Sequence, residues 1–224
     1  MEEKEWIRTE LKREERQKLE QRQYSVLQVL TNGRVWWLTS IYFGISLGIN
    51  TFSIWAPQLM QSAASGYSNS AVGFLVMVPN LVGLAAMIFV SRSSDHYLER
   101  RNHVAIPAII AGVGFVLLGT PHSPFFSVAF LSLLAIGVSG ASSPFWALPN
   151  EFLTGFSAAA GIALINSIGN LGAFVGIYAI GAISSRTGSI YRGLALAAIP
   201  LLVSATLVIL LPRRARSNLV TLGK

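Results

Sequence analysis

Residues 35–91 read VWWLTSIYFG ISLGINTFSI WAPQLMQSAA SGYSNSAVGF LVMVPNLVGL AAMIFVS, 57 residues without a single Asp, Glu, Lys or Arg. A helix that crosses a bilayer needs about 20 apolar residues. This run therefore has room for two, with the polar stretch Gln61 to Ser70 as the turn between them.

The same pattern continues outward. Charge-free runs cover residues 102–150 (49), 152–185 (34) and 193–212 (20), long enough for two, one and one further crossings. The expectation is an all-α membrane protein of six spans, at 35–57, 72–91, 104–120, 125–147, 157–183 and 192–211. Only 12% of the 224 residues are charged, against roughly 25% in ordinary soluble domains, and 52% are hydrophobic, which excludes a soluble fold.

Three segments follow from this division: a charged segment 1–34, a transmembrane domain 35–212 and a basic tail 213–224. The first holds seven acids and eight bases, with Trp6, Ile7 and Leu11 on one side and Glu14 to Lys18 at favourable spacing, which predicts a short surface helix. Lys and Arg number 8, 3, 0 and 4 in segments 1–34, 92–103, 148–156 and 212–224, and 0, 0 and 2 in the alternate loops 58–71, 121–124 and 184–192. Basic flanks resist translocation, so both termini are expected on the cytoplasmic side of the membrane.

Several classes of function fall away. With no cysteine there is no disulfide, thiolate metal site, iron–sulfur cluster or thiol nucleophile. The net charge of +7 is scattered between apolar runs and builds no basic stripe, so lipid rather than nucleic acid is the expected partner. His96 and His103 with Asp95 and Glu99 do not have a metal-ligand spacing, and solvated loop histidines are expected there. Gly137-Val138-Ser139-Gly140 resembles the Gly-x-Ser-Gly setting of rhomboid intramembrane proteases, but His96, His103 and His122 all fall in predicted loops. Ser139 then lacks the base a serine nucleophile needs, and no enzyme activity, cofactor or metal is expected.

The fifth span is the most informative helix. Ala159, Ala163, Asn166, Asn170 and Ala173 share one face, while Leu164, Ile168, Leu171, Val175 and Tyr178 share another. Small and polar residues line protein contacts or water-filled paths in membranes, and bulky apolar ones face lipid. Asn166 and Asn170, with Asn50 and Asn80, are the candidate substrate-pathway residues; interhelical hydrogen bonding fits them as well. Gly172 to Gly176 and Gly44 to Gly48 are small-xxx-small spacings that let backbones approach closely.

Pro79, Pro144 and Pro200 lie inside spans and are expected to bend them. Phe52-Ser53-Ile54-Trp55-Ala56-Pro57 and Pro144-Phe145-Trp146-Ala147-Leu148-Pro149 are expected to close the first and fourth spans. Three spans apart, they echo inverted three-helix repeats, although an interfacial Trp followed by a helix-ending Pro gives the same pattern.

Taken together these residues resemble the C-terminal six-helix half of a major facilitator superfamily transporter, in the anion:cation symporter branch of phthalate, tartrate and sugar-acid permeases. The resemblance rests on Phe145-Trp146-Ala147-Leu148-Pro149, Phe152-Leu153-Thr154-Gly155 and the run Ala158 to Gly172, with Trp55-Ala56-Pro57 and Thr187-Gly188-Ser189 in support. Ser94-Asp95, Glu99-Arg100-Arg101 and His103 resemble the family's acidic-basic cytoplasmic hinge, which implies a gating role for Asp95, Glu99, Arg100 and Arg101; a solvated orienting loop is the simpler alternative. Ser91, His96 and Ile177 depart from the family pattern of Gly, Arg and Pro.

The resemblance implies transport of small organic anions, carboxylates, by alternating access coupled to protons or another cation. Residues 1–34 resemble the central loop, so an N-terminal six-helix half is expected in cis or in trans. A truncated, non-transporting membrane protein is the alternative.

Overall fold

The computed structural model describes residues 29–153 and 156–211, and of these the side chains of Phe152, Phe156 and Ser157 are left aside. The predicted surface helix in 1–34 falls outside the described residues up to residue 28, and the basic tail 213–224 lies outside them entirely. Among the described residues every regular element is a helix: α1 (Gly33–Ala63), α2 (Asn69–Tyr97), α3 (Arg101–Leu117), α4 (Pro124–Phe152), α5 (Phe156–Gly169), α6 (Leu171–Thr187), α7 (Ile190–Leu196) and α8 (Ala198–Leu210).

Among the described residues four stretches are long and apolar enough to cross a membrane, Asn69–Tyr97, Pro124–Glu151, Ala158–Thr187 and Ile190–Leu210, while the apolar Arg101–Leu117 is shorter. Two of the six expected spans are broken. The fifth is α5 followed by α6, interrupted at Asn170, where the Ala173 N–H reaches back three residues to the Asn170 carbonyl at 3.1 Å instead of four. The sixth is α7 followed by α8, interrupted at Ala197. Pro200 accounts for that break, because it has no N–H for the Leu196 carbonyl and its ring crowds that carbonyl.

Most of the expected spans were too short, and the third, expected at 104–120, lies at Arg101–Leu117. Pro57 does not close the first span and Pro149 does not close the fourth: α1 runs on to Ala63 and α4 to Phe152. Each proline costs one ladder bond, and the surrounding turns hold the helix through it. The predicted loop Arg92 to His103 shrinks to residues 98–100, so His96 lies in the last turn of α2 and His103 in the first turn of α3 instead of in a loop. Leu98 makes the tight reversal with φ of 49°, a left-handed helix cap.

α1 is the central spine. It packs on α4, α5, α6 and α8, whereas α3 lies outside against α4 and α8. Close approach along α1 depends on missing side chains. A Cβ on Gly172 would overlap the Phe43 carbonyl, one on Gly176 would press Leu47, and one on Gly44 would overlap Pro200 and Ser204. Both predicted small-xxx-small spacings therefore mark helix crossings, α1 with α6 and α1 with α8.

Candidate functional site

The contacts Tyr42 with Gly169, Phe43 with Gly172, Leu47 with Gly176 and Trp55 with Gly181 ascend together, so α1 and the α5–α6 unit run parallel. Their crossing brings three of the four candidate asparagines into one hydrogen-bonded ladder. Asn50 donates Nδ2 to the Ser46 carbonyl at 2.9 Å and lies 3.5 Å from its hydroxyl. Ser46, 1% exposed, donates Oγ to Asn170 Oδ1 at 3.0 Å. Asn170 donates Nδ2 to Asn166 Oδ1 at 2.9 Å.

The direction of donation is the same along the whole chain of bonds. It leaves the Asn166 amide hydrogens at one end and the Asn50 carbonyl oxygen at the other without a protein partner among the described residues. Asn166 and Asn170 are exposed, as are Ala159 and Ala163 on the same face, so no described residue covers this face. Ser46 was not singled out from the sequence; it stands one helical turn before Asn50, and that spacing was the available signal.

Asn80 stays apart. It is exposed on α2 and returns its Nδ2 to the Val76 carbonyl at 2.9 Å, a bond within its own helix. Next to the ladder, Tyr42 stacks on Phe145 at 5.1 Å and meets Trp146 edge-on at 4.7 Å, fixing α1 against α4. Further along the seam two buried polar atoms have no partner among the described residues, Thr51 Oγ1 and Trp55 Nε1. Thr39, Ser53 and Thr206 each bond the carbonyl four residues back, which Thr51 does not do.

At the α2–α3 turn the four predicted hinge residues divide their partners. Asp95 pairs with Arg100 at 2.5 Å, and Arg100 also donates to Ser94 Oγ at 3.1 Å. Glu99 caps α3, accepting the Asn102 N–H at 2.9 Å, and bonds His103 Nδ1 at 3.0 Å. Burial pushes the Glu99 carboxyl up, and the hydrogen bonds from Asn102 and His103 with the charge of His103 outweigh it, holding the group below the ordinary value.

Arg101 does not join the pair around Asp95. Its guanidinium reaches the carbonyls of Val208 and Ile209 at the end of α8, while Trp37 Nε1 caps Leu207 at 2.9 Å. The last turn of a helix leaves carbonyls unbonded and carries partial negative charge, and an arginine there satisfies both.

Ser139 packs against Gly83 of α2, and each histidine is engaged elsewhere: His103 with Ser93, His122 with the Leu117 carbonyl, His96 edge-on to Tyr97. Among the described residues no cluster of His, Asp and Glu could hold a metal.

The Major Facilitator Superfamily family model matches residues 4–177. The chain is 43% identical over 195 residues to a protein of Agrobacterium vitis named "Putative tartrate transporter", covering 87% of this chain and 45% of that one. It is 34% identical to the quinolone resistance transporter of Acinetobacter baumannii (87% and 44% covered) and 32% identical to the inner membrane transport protein RhmT of Escherichia coli (77% and 39%). The chain thus spans less than half the length of the curated relatives it matches. Its helices, its small-residue crossings and these matches together make it a multi-pass membrane protein, not an enzyme, and it belongs to the Major Facilitator Superfamily as half of that fold.

Proposed function

We propose that this chain is the C-terminal half of a secondary transporter for small organic anions, carboxylates in the first place, working by alternating access coupled to protons or another cation. The observation that carries this is the uncharged ladder Asn166–Asn170–Ser46–Asn50, built midway along α1 and the α5–α6 unit, with Asn166 and Asn170 on a face that no described residue covers. Amide groups offer an anion hydrogen-bond donors without the cost of burying a charge in the bilayer. No Asp, Glu, Lys or Arg lies in the middle of these helices, so the cation that pairs with a carboxylate belongs to the N-terminal half. The name "Putative tartrate transporter", carried by two Agrobacterium vitis relatives, supports the substrate class.

In this account both termini face the cytoplasm of a bacterial inner membrane, the chain crosses it six times, and Asp95, Glu99, Arg100 and Arg101 form a gate that rearranges as the halves rock. Reconstitution in proteoliposomes tests it. The chain alone is expected to give no saturable tartrate uptake, and uptake is expected when the N-terminal half of the related Agrobacterium transporter is supplied with it. Saturable uptake by the chain alone, or none with any companion half, would overturn the proposal.

A further inference from the structure

Away from the asparagine ladder, α2 and α3 diverge over the floor of α4 and leave a cavity of about 210 Å³. Its walls are Phe89 and Val90 of α2 and Ile106, Pro107 and Ile110 of α3, and Ile136 of α4 closes the bottom. At one end the lining turns polar, with Ser93, Asn102 and His103.

The cavity opens on the outer side of the bundle. α3 packs on α4 and α8 and does not carry the asparagine-bearing face, and beyond Asn102 in its first turn its exposed residues, Ile106, Ile109, Val113, Val116 and Leu117, are all apolar. Phe89 and Ile106 at its mouth are 74% and 58% exposed, which in a spanning helix means exposure to lipid. Its polar end lies at the depth where charge returns: Arg92 is the first charged residue after the 57-residue run, and Tyr97 stands one turn further on. Headgroups sit at this depth, where Tyr, Lys and Arg anchor helices.

The charges around that end are mostly spent. Asp95 is paired with Arg100, Glu99 with His103 and the start of α3, and Arg101 with α8, whereas exposed Arg92, outside the lining and next in the chain to its residue Ser93, has no partner among the described residues. We infer that this crevice is a site for one anionic membrane phospholipid, with an acyl chain between Phe89 and Ile106 and its phosphate-bearing headgroup at Arg92, Ser93 and Asn102. Apolar walls meet the chain, a free guanidinium meets the phosphate, and the neutral hydrogen-bonding groups meet the glycerol and ester oxygens. The inference does not depend on what the protein transports.

Native mass spectrometry of the purified full chain, titrated with phosphatidylglycerol or phosphatidylcholine, tests it. Wild type is expected to retain one phosphatidylglycerol at collision energies that strip phosphatidylcholine. Ile106→Trp, which fills the crevice, should abolish that retained lipid, and Val113→Trp, on the same helix outside it, should not. Arg92→Gln, at an exposed position where folding is not at stake, should bring phosphatidylglycerol down to the level of phosphatidylcholine. Equal retention of the two lipids by wild type, equal loss in both tryptophan variants, retained selectivity in Arg92→Gln, or occupation of the crevice by a second copy seen as a dimer would each overturn it.

Discussion

Ser46 and Asn170, 124 residues apart in sequence, share a hydrogen bond of 3.0 Å across the α1–α6 crossing, and that bond joins two intrahelical asparagine contacts into one ladder. It forms because Gly172 and Gly176 let the two backbones approach where larger residues would hold them apart.

Replacing the linking hydroxyl tests the ladder as a structural unit. Ser46→Ala should lower thermal stability in detergent by about 0.6–2 kcal/mol, the range for hydrogen bonds between membrane helices. Thr51→Val is the contrast. It removes a buried hydroxyl with no protein partner among the described residues, so stability should hold or rise by about 1 kcal/mol. A loss in Thr51→Val equal to that of Ser46→Ala would mean that Thr51 has a partner after all.

The glycines differ in the same way. Gly172→Ala places a methyl against the Phe43 carbonyl and should cost about 1–3 kcal/mol through overpacking. Gly73→Ala on α2 meets nothing within 4 Å and should be neutral or stabilising by up to about 1 kcal/mol, the gain of Ala over Gly in a helix. Melting temperatures of the two variants beside wild type decide this.

Arg101 ties the start of α3 to the end of α8. Arg101→Gln should loosen the last turn of α8 by about 1 kcal/mol, a figure kept low because part of the guanidinium is in contact with solvent. Hydrogen exchange should rise in residues 205–211 and stay unchanged in α6. Unchanged exchange at the α8 end would show that Trp37 and local packing hold it without the arginine.

The Glu99 carboxylate sets a pH dependence of known sign. Its value in the folded chain lies below the ordinary 4.5, so its contribution to stability is complete above pH 4.5 and is lost as pH falls through the lowered value. The advantage of wild type over Glu99→Gln in melting temperature should be level from neutral pH down to about 4.5 and shrink below it. An advantage that grows on acidification would reverse the sign and remove Glu99 as an anionic cap.

Much of this fold was legible because the bilayer simplifies the code. Charge-free runs of fixed length mark helices, and small-residue spacings mark where they cross, so Gly44, Gly172 and Gly176 could be read in advance. Helix ends were less legible. Pro57 and Pro149 look like stops in a soluble chain, but in a long apolar helix one lost ladder bond does not end it, and the break came instead at Asn170 and Ala197. Asn166 and Asn170 were visible from their shared face. Ser46 was not, because a serine in an apolar helix usually returns its hydroxyl to its own backbone, and only the register of α1 against α6 shows that this one reaches across. Register between helices is also why the partner of Arg101, the end of α8, could not be read from the loop that carries it.

The central claim is that the face carrying Ala163, Asn166 and Asn170 lines a water-filled substrate path. The chain has no cysteine, so a single introduced thiol is its only one. The direct measurement is labelling of Ala163→Cys and Phe174→Cys by a membrane-impermeant maleimide, in membranes where the chain is joined by an N-terminal half. The account predicts rapid labelling at position 163, slowed by tartrate, and little at position 174. Labelling at 174 with none at 163, or labelling at 163 that tartrate leaves untouched, would contradict it.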